Sequence, residues 1–151
     1  ITSVDLSAGM LERQHRRVDR AGATERVEFV SQDLSGYCPE TGAFDLIVAA
    51  YFLDCFSESD LESNLPRWLG GIRKGGLFYF VDFVKPPDGW RRGQSELYLS
   101  LMHWLFWWQT GLANRELVDM VTVLDRQHLS LVECFNDTHP MMTTRIYRKI
   151  C

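Results

Sequence analysis

The sequence predicts an α/β domain: a mostly parallel sheet with helices on both faces, closed by a C-terminal antiparallel hairpin. Three observations predict it. From Val4 to Val84, apolar runs and helical stripes alternate as β-α-β-loop-β-α-β, the rhythm of a parallel sheet with covering helices. One run, Phe44 to Phe56 (FDLIVAAYFLDCF), has no polar break between Leu46 and Ala50, as suits a strand buried on both faces. Its polar and aromatic residues, Tyr51, Asp54 and Cys55, arrive where the strand ends, and in open α/β sheets that end holds ligands.

The elements follow in order. Val4 and Leu6 flank Asp5 at the end of a first short strand. Ser7 is a good N-cap for a helix to about Arg20, with Met10, Leu11 and Val18 apolar and Gly22 placed as the C′ residue. Val27 to Ser31 alternates as a second strand, closed by Gln32-Asp33-Leu34, and SGYCPETG is a loop broken by Pro39 and Gly42. After the strand Phe44 to Ala50, Ser57 or Ser59 caps a helix from Asp60 to about Arg73. Its stripe is Leu61, Leu65, Trp68, Leu69 and Ile72, and Pro66 marks a kink or a late first turn. Lys74-Gly75-Gly76 stops that helix, and Leu77 to Val84 is a second buried strand, ended by Lys85-Pro86-Pro87.

An apolar segment from Gln94 to Gln109 follows, too short and interrupted to span a bilayer. Asn114 caps a helix from Arg115 to about Gln127. Leu129–Phe135 and Met142–Ile150 are then two strands joined by Asn136-Asp137-Thr138-His139-Pro140.

Composition bounds the function. The chain has 151 residues, 46% of them hydrophobic, enough for one domain with a core. The net charge of −4 gives no bias toward nucleic acid or anionic membrane. Neither a nucleic-acid partner nor stable membrane insertion is expected. Cys38, Cys55, Cys134 and Cys151 form no CxxC pair, so no metal site is expected, and their scarcity points to a reducing, cytoplasmic setting. The chain opens on Ile1 inside an apparent strand, which reads as a piece of a longer domain.

In this order the parts resemble the class I S-adenosylmethionine-dependent methyltransferases, from that family's second strand to its end. VDLSAGML at Val4 to Leu11, VSQDL at Val30 to Leu34, FDLIVAAYFLDCF, and KGGLFYFVDF at Lys74 to Phe83 carry the resemblance, with the terminal hairpin as the family's antiparallel ending. It covers almost the whole chain, as a single Rossmann-like domain over residues 1–151. The family's first strand and its Gly-rich cofactor loop are missing, since only four residues precede Asp5.

The resemblance implies a methyltransferase with S-adenosylmethionine as cofactor. A carboxylate at Asp5 can accept two hydrogen bonds from ribose hydroxyls, as dinucleotide-binding folds also use; the alternative is an acid favoured at a helix start. Leu6 and Met10 would pack on the adenine faces, or else belong to the core. Asp33, with Leu34 beside it, would accept from the adenine amino group, or else cap its own loop. The resemblance also places the carbonyls of Ala49 and Ala50 at the ammonium of the methionine moiety. Transfer from a sulfonium needs alignment and removal of the acceptor proton; the candidates for that role are Tyr51, Asp54 and His103. The aromatic segment over residues 90–113, with Trp104, Phe106, Trp107 and Trp108, is either a lid over a small apolar or aromatic acceptor or a subunit contact in a homo-oligomer. Two other readings stay open: a nicotinamide-dependent dehydrogenase, which Asp5 would serve equally, and a truncated, non-catalytic Rossmann-like domain.

Overall fold

A computed structural model of the chain describes residues 1–83, 118–135 and 142–150. It divides into two compact units, Ile1–Cys38 and Pro39–Cys151.

In the first unit, β1 (Thr2–Asp5) and β2 (Glu28–Ser31) pair in parallel, with Val4 opposite Val30 and Asp5 opposite Ser31. Between them runs α1 (Ala8–Arg20). It starts where expected because the Ser7 hydroxyl accepts from the Met10 amide, 3.3 Å away. It ends where expected because Gly22, at φ 62°, turns the chain out of the helix. The Gly22 amide then reaches the Asp19 carbonyl and the Ala23 amide the Val18 carbonyl, which satisfies two orphan acceptors of the last turn. Leu11 is buried, and His15 leans on the Phe29 ring with centroids 5.2 Å apart.

In the second unit the sheet runs in the order β3-β4-β6-β5, from β3 (Phe44–Ala50), β4 (Ile72–Phe83), β5 (Leu129–Phe135) and β6 (Met142–Lys149). β3 and β4 are parallel, linked through α2 (Glu58–Gly70); β6 is antiparallel to both β4 and β5. This is the expected mixed sheet with its antiparallel ending. The core gathers Leu61, Leu65 and Trp68 of α2, Ile72, Phe78 and Phe80 of β4, Val123 and Leu124 of α3 (Met120–Asp125), and Tyr147 of β6.

Several expectations need correction. β3 has the predicted bounds but is not buried on both faces: Leu46 is 49% and Val48 57% exposed, while Ala49 on the other face is buried. The reason is its place at one end of the sheet order, where among the described residues it pairs only with β4. Helix α2 begins at Glu58, because Ser57 and Asp60 form a reciprocal capping box. It stops at Gly70, and Ile72 opens β4 instead of closing the helical stripe. The Lys149 ammonium, donating to the Gly70 and Ile72 carbonyls at 3.3 and 2.7 Å, takes up acceptors at that helix end. Pro66 sits inside α2.

Lys74-Gly75-Gly76 is not a stop between helix and strand but a bulge within β4. Phe44 pairs with Ile72 and Leu46 with Leu77, so the extra residues loop out, with Gly75 at φ 76°. Helix α3 starts at Met120, where the Asp119 carboxylate takes the Thr122 amide and hydroxyl and so caps it. Residues 90–113, His103, the helix start at Asn114 and the turn Asn136 to Pro140 lie outside the described residues.

Candidate functional site

Within the first unit, the parallel register brings the carboxyl ends of β1 and β2 to one edge, with Asp5 opposite Ser31 and Asp33 two residues beyond it. Asp5 is half-buried. Its Oδ1 accepts from the Ser7 amide at 2.8 Å, which ties the strand end to the start of α1. The helix-entry role weighed above is thus real for one oxygen. Among the described residues no hydrogen bond engages Oδ2. Leu6 is 70% and Met10 48% exposed, so neither belongs to the unit's core. Two exposed apolar side chains stand within five residues of a strand-end carboxylate.

Asp33 follows β2 in a tight turn. Its Oδ1 accepts from the Ser35 amide at 2.9 Å, its carbonyl from the Gly36 amide, and the Leu34 carbonyl from the Tyr37 amide. The hydrogen bonds from Ser35, side chain first and backbone second, hold the Asp33 carboxyl below the usual carboxylate range. It is therefore an acceptor, not a donor, at neutral pH. The loop-capping reading of Asp33 accounts for Oδ1. Leu34 is half-buried.

In the second unit, Ala49 is buried and Ala50 exposed at the carboxyl end of β3. The chain then turns sharply. Tyr51 adopts φ 52°, a left-handed conformation uncommon for a residue with a side chain, and its amide still reaches the Val81 carbonyl of β4 at 2.8 Å. A short 3-10 turn, Leu53–Cys55, comes next. The Leu53 and Asp54 amides donate to one oxygen, Oδ2 of Asp82, at 3.1 and 3.3 Å. The Asp54 Oδ1 accepts from the Cys55 thiol at 3.6 Å. Leu53 is buried beneath the turn, and Phe52, Phe56 and Trp68 pack ring to ring with centroids 5.1 to 6.3 Å apart.

Each unit thus groups part of the expected set: Asp5, Leu6, Met10, Asp33 and Leu34 in the first, and Ala49, Ala50, Tyr51 and Asp54 in the second. Sequence reasoning passed over Asp82. The signal was present, as one carboxylate inside the apolar run LFYFVDFV. Among the described residues no group of three or more His, Cys, Asp or Glu could hold a metal ion, and no helix is long and apolar enough to cross a membrane.

Residues 1–76 match a family model described as a methyltransferase domain. No curated protein matches the chain in sequence. Solved structures share the fold. An S-adenosylmethionine-dependent methyltransferase of Methanosarcina mazei is 12% identical with a TM-score of 0.70, over 99% of this chain and 81% of that one. A "possible exported protein" of Bordetella parapertussis is 17% identical at a TM-score of 0.69, over 99% of this chain and 53% of that one. The N-methyltransferase NodS of Bradyrhizobium japonicum, in complex with S-adenosylhomocysteine, is 15% identical at 0.61, over 98% and 65%. The chain thus spans about half the length of the Bordetella protein.

Proposed function

Because the chain belongs to the methyltransferase-domain family, we propose that it serves S-adenosylmethionine-dependent methyl transfer to a small, apolar or aromatic acceptor. The observation that carries the reading is the first unit's strand end: a carboxylate with one oxygen unengaged, followed by two apolar side chains exposed to solvent. That pairing fits a ribose diol and a flat base. The residues present therefore fit the cofactor in kind. Asp5 would take the ribose hydroxyls, Leu6 and Met10 the adenine faces, and Asp33, held ionised, the adenine amino group, with Leu34 alongside. Ala49 and Ala50, small residues at the end of β3, would offer their carbonyls to the ammonium of the methionine moiety.

S-adenosylmethionine, when bound, supplies a methyl group on a sulfonium, a good leaving group. The protein's own share is alignment, exclusion of water and acceptance of a proton. Tyr51 and Asp54 stand in the turn after β3, where a group that orients or deprotonates an acceptor is needed, and His103 is the further candidate. The aromatic residues of 90–113 suit an apolar acceptor, and the net charge of −4 disfavours a nucleic-acid one. The antiparallel β5–β6 ending favours this reading over hydride transfer to nicotinamide.

The test is transfer of label. The full-length protein is incubated with S-adenosylmethionine labelled in its methyl group, against separate pools of small aromatic compounds, small polar compounds, peptides and nucleic acids. Label should move to the aromatic pool. Label moving only to nucleic acid or peptide overturns the acceptor class, and no transfer to any pool overturns the activity.

A further inference from the structure

The β4 carboxylate Asp82 is the buried acid that the roles above leave unused. Its side chain faces the core with Phe78 and Phe80, opposite Thr143 of β6, and it is 0% exposed. A carboxylate so placed is expensive unless hydrogen bonds compensate it. Here Oδ2 collects the amides of Leu53 and Asp54. Together with the Tyr51 amide on the Val81 carbonyl, three donors of the post-β3 turn are fastened to Val81 and Asp82 near the end of β4. An apolar residue at position 82 would fill the space but leave two amides without an acceptor.

What this fastening governs is Tyr51. Residues after β3 must reverse direction at once, and Tyr51 does so in a conformation that costs a side-chain-bearing residue free energy. Such a conformation persists only where the flanks are held. Leu53 and Asp54 are the flank on one side, and the β3–β4 ladder is the other. We propose that Asp82 is a positioning residue: it does not itself touch ligand but fixes the post-β3 turn so that Ala50 presents its backbone to the cofactor and Tyr51 its side chain to the acceptor. This rests on the methyltransferase reading above.

The test is calorimetric affinity for S-adenosylhomocysteine in the full-length protein and three variants. Both amides converge on one oxygen, so Asp82→Asn, whose carbonyl oxygen can occupy that place, should rescue the geometry. Asp82→Leu keeps the branched shape, with some added bulk, and removes the acceptor. Val123→Ala opens a cavity in α3 and reports loss of stability alone. Asp82→Leu should weaken binding at least tenfold, and Asp82→Asn and Val123→Ala less than threefold. Should Asp82→Leu not fold, Asp82→Ser, small enough for the site and too short to reach the amides, is measured in its place. Amide hydrogen exchange at Leu53 and Asp54 should quicken in Asp82→Leu and not in Asp82→Asn. If Asp82→Leu binds within threefold of wild type, or Val123→Ala weakens binding as much, the positioning role is overturned while the function stands. If the wild type itself binds no S-adenosylhomocysteine, the function falls and the positioning role with it.

Discussion

Asp5 and Asp54 are both carboxylates next to strand ends, yet their surroundings differ. Asp5 has one oxygen on the Ser7 amide and the other without a hydrogen bond among the described residues, whereas the Asp54 carboxylate lies against the Cys55 thiol beside the buried turn. A hydrogen bond to a charged group contributes about 1.5–3 kcal/mol. Asp5→Ala should therefore weaken S-adenosylhomocysteine binding by roughly ten- to a hundredfold. Asp54→Ala should cost clearly less, as read by titration calorimetry; equal losses would remove the ribose role from Asp5. At this scale the sequence was readable where a residue's type fixes its behaviour. Ser7 caps because a hydroxyl before a helix accepts an amide, and Gly22 ends α1 because it tolerates positive φ. Asp82 was not readable. Its role depends on two amides 28 and 29 residues away, and pairing over that distance has no local signature.

The elements were legible in kind and order, and less so at their joints. β3 was bounded correctly because its apolar run starts and stops at turn residues. Its exposure was not foreseen, since an apolar run records what could be buried on two faces rather than what covers them. The Gly75-Gly76 pair was recognised as a break but belongs to a bulge inside β4. A Cβ at Gly76 would meet Ile72 Cγ2 at 2.7 Å and the Asp45 carbonyl at 2.9 Å, partly backbone that cannot yield. Arg73 pairs with Asp45 across the same bulge. Gly76→Ala should therefore destabilise the protein by about 1–3 kcal/mol, the usual cost of overpacking. At Gly70, where an added Cβ meets nothing within 4 Å, Gly70→Ala should be neutral or stabilising by up to about 1 kcal/mol. Urea unfolding midpoints separate the two; equal midpoints would show that the bulge is not close-packed.

On the scale of the molecule, the chain comprises a two-stranded unit, Ile1–Cys38, and a four-stranded one, Pro39–Cys151. The parallel start and antiparallel finish of the sheet were legible because helical and strand periods alternate along the sequence, whereas the place of β6 between β4 and β5 was not, since periodicity does not say which strands pair. The family match over residues 1–76 spans the first unit and the second as far as the β4 bulge, so it covers nearly every candidate residue named here. Asp5 alone would serve a nicotinamide dinucleotide as well as S-adenosylmethionine. The central claim is therefore tested most directly by titrating the full-length protein with S-adenosylhomocysteine and, separately, with NAD. Saturable binding of S-adenosylhomocysteine with none of NAD is the predicted result; binding of NAD alone would contradict the account.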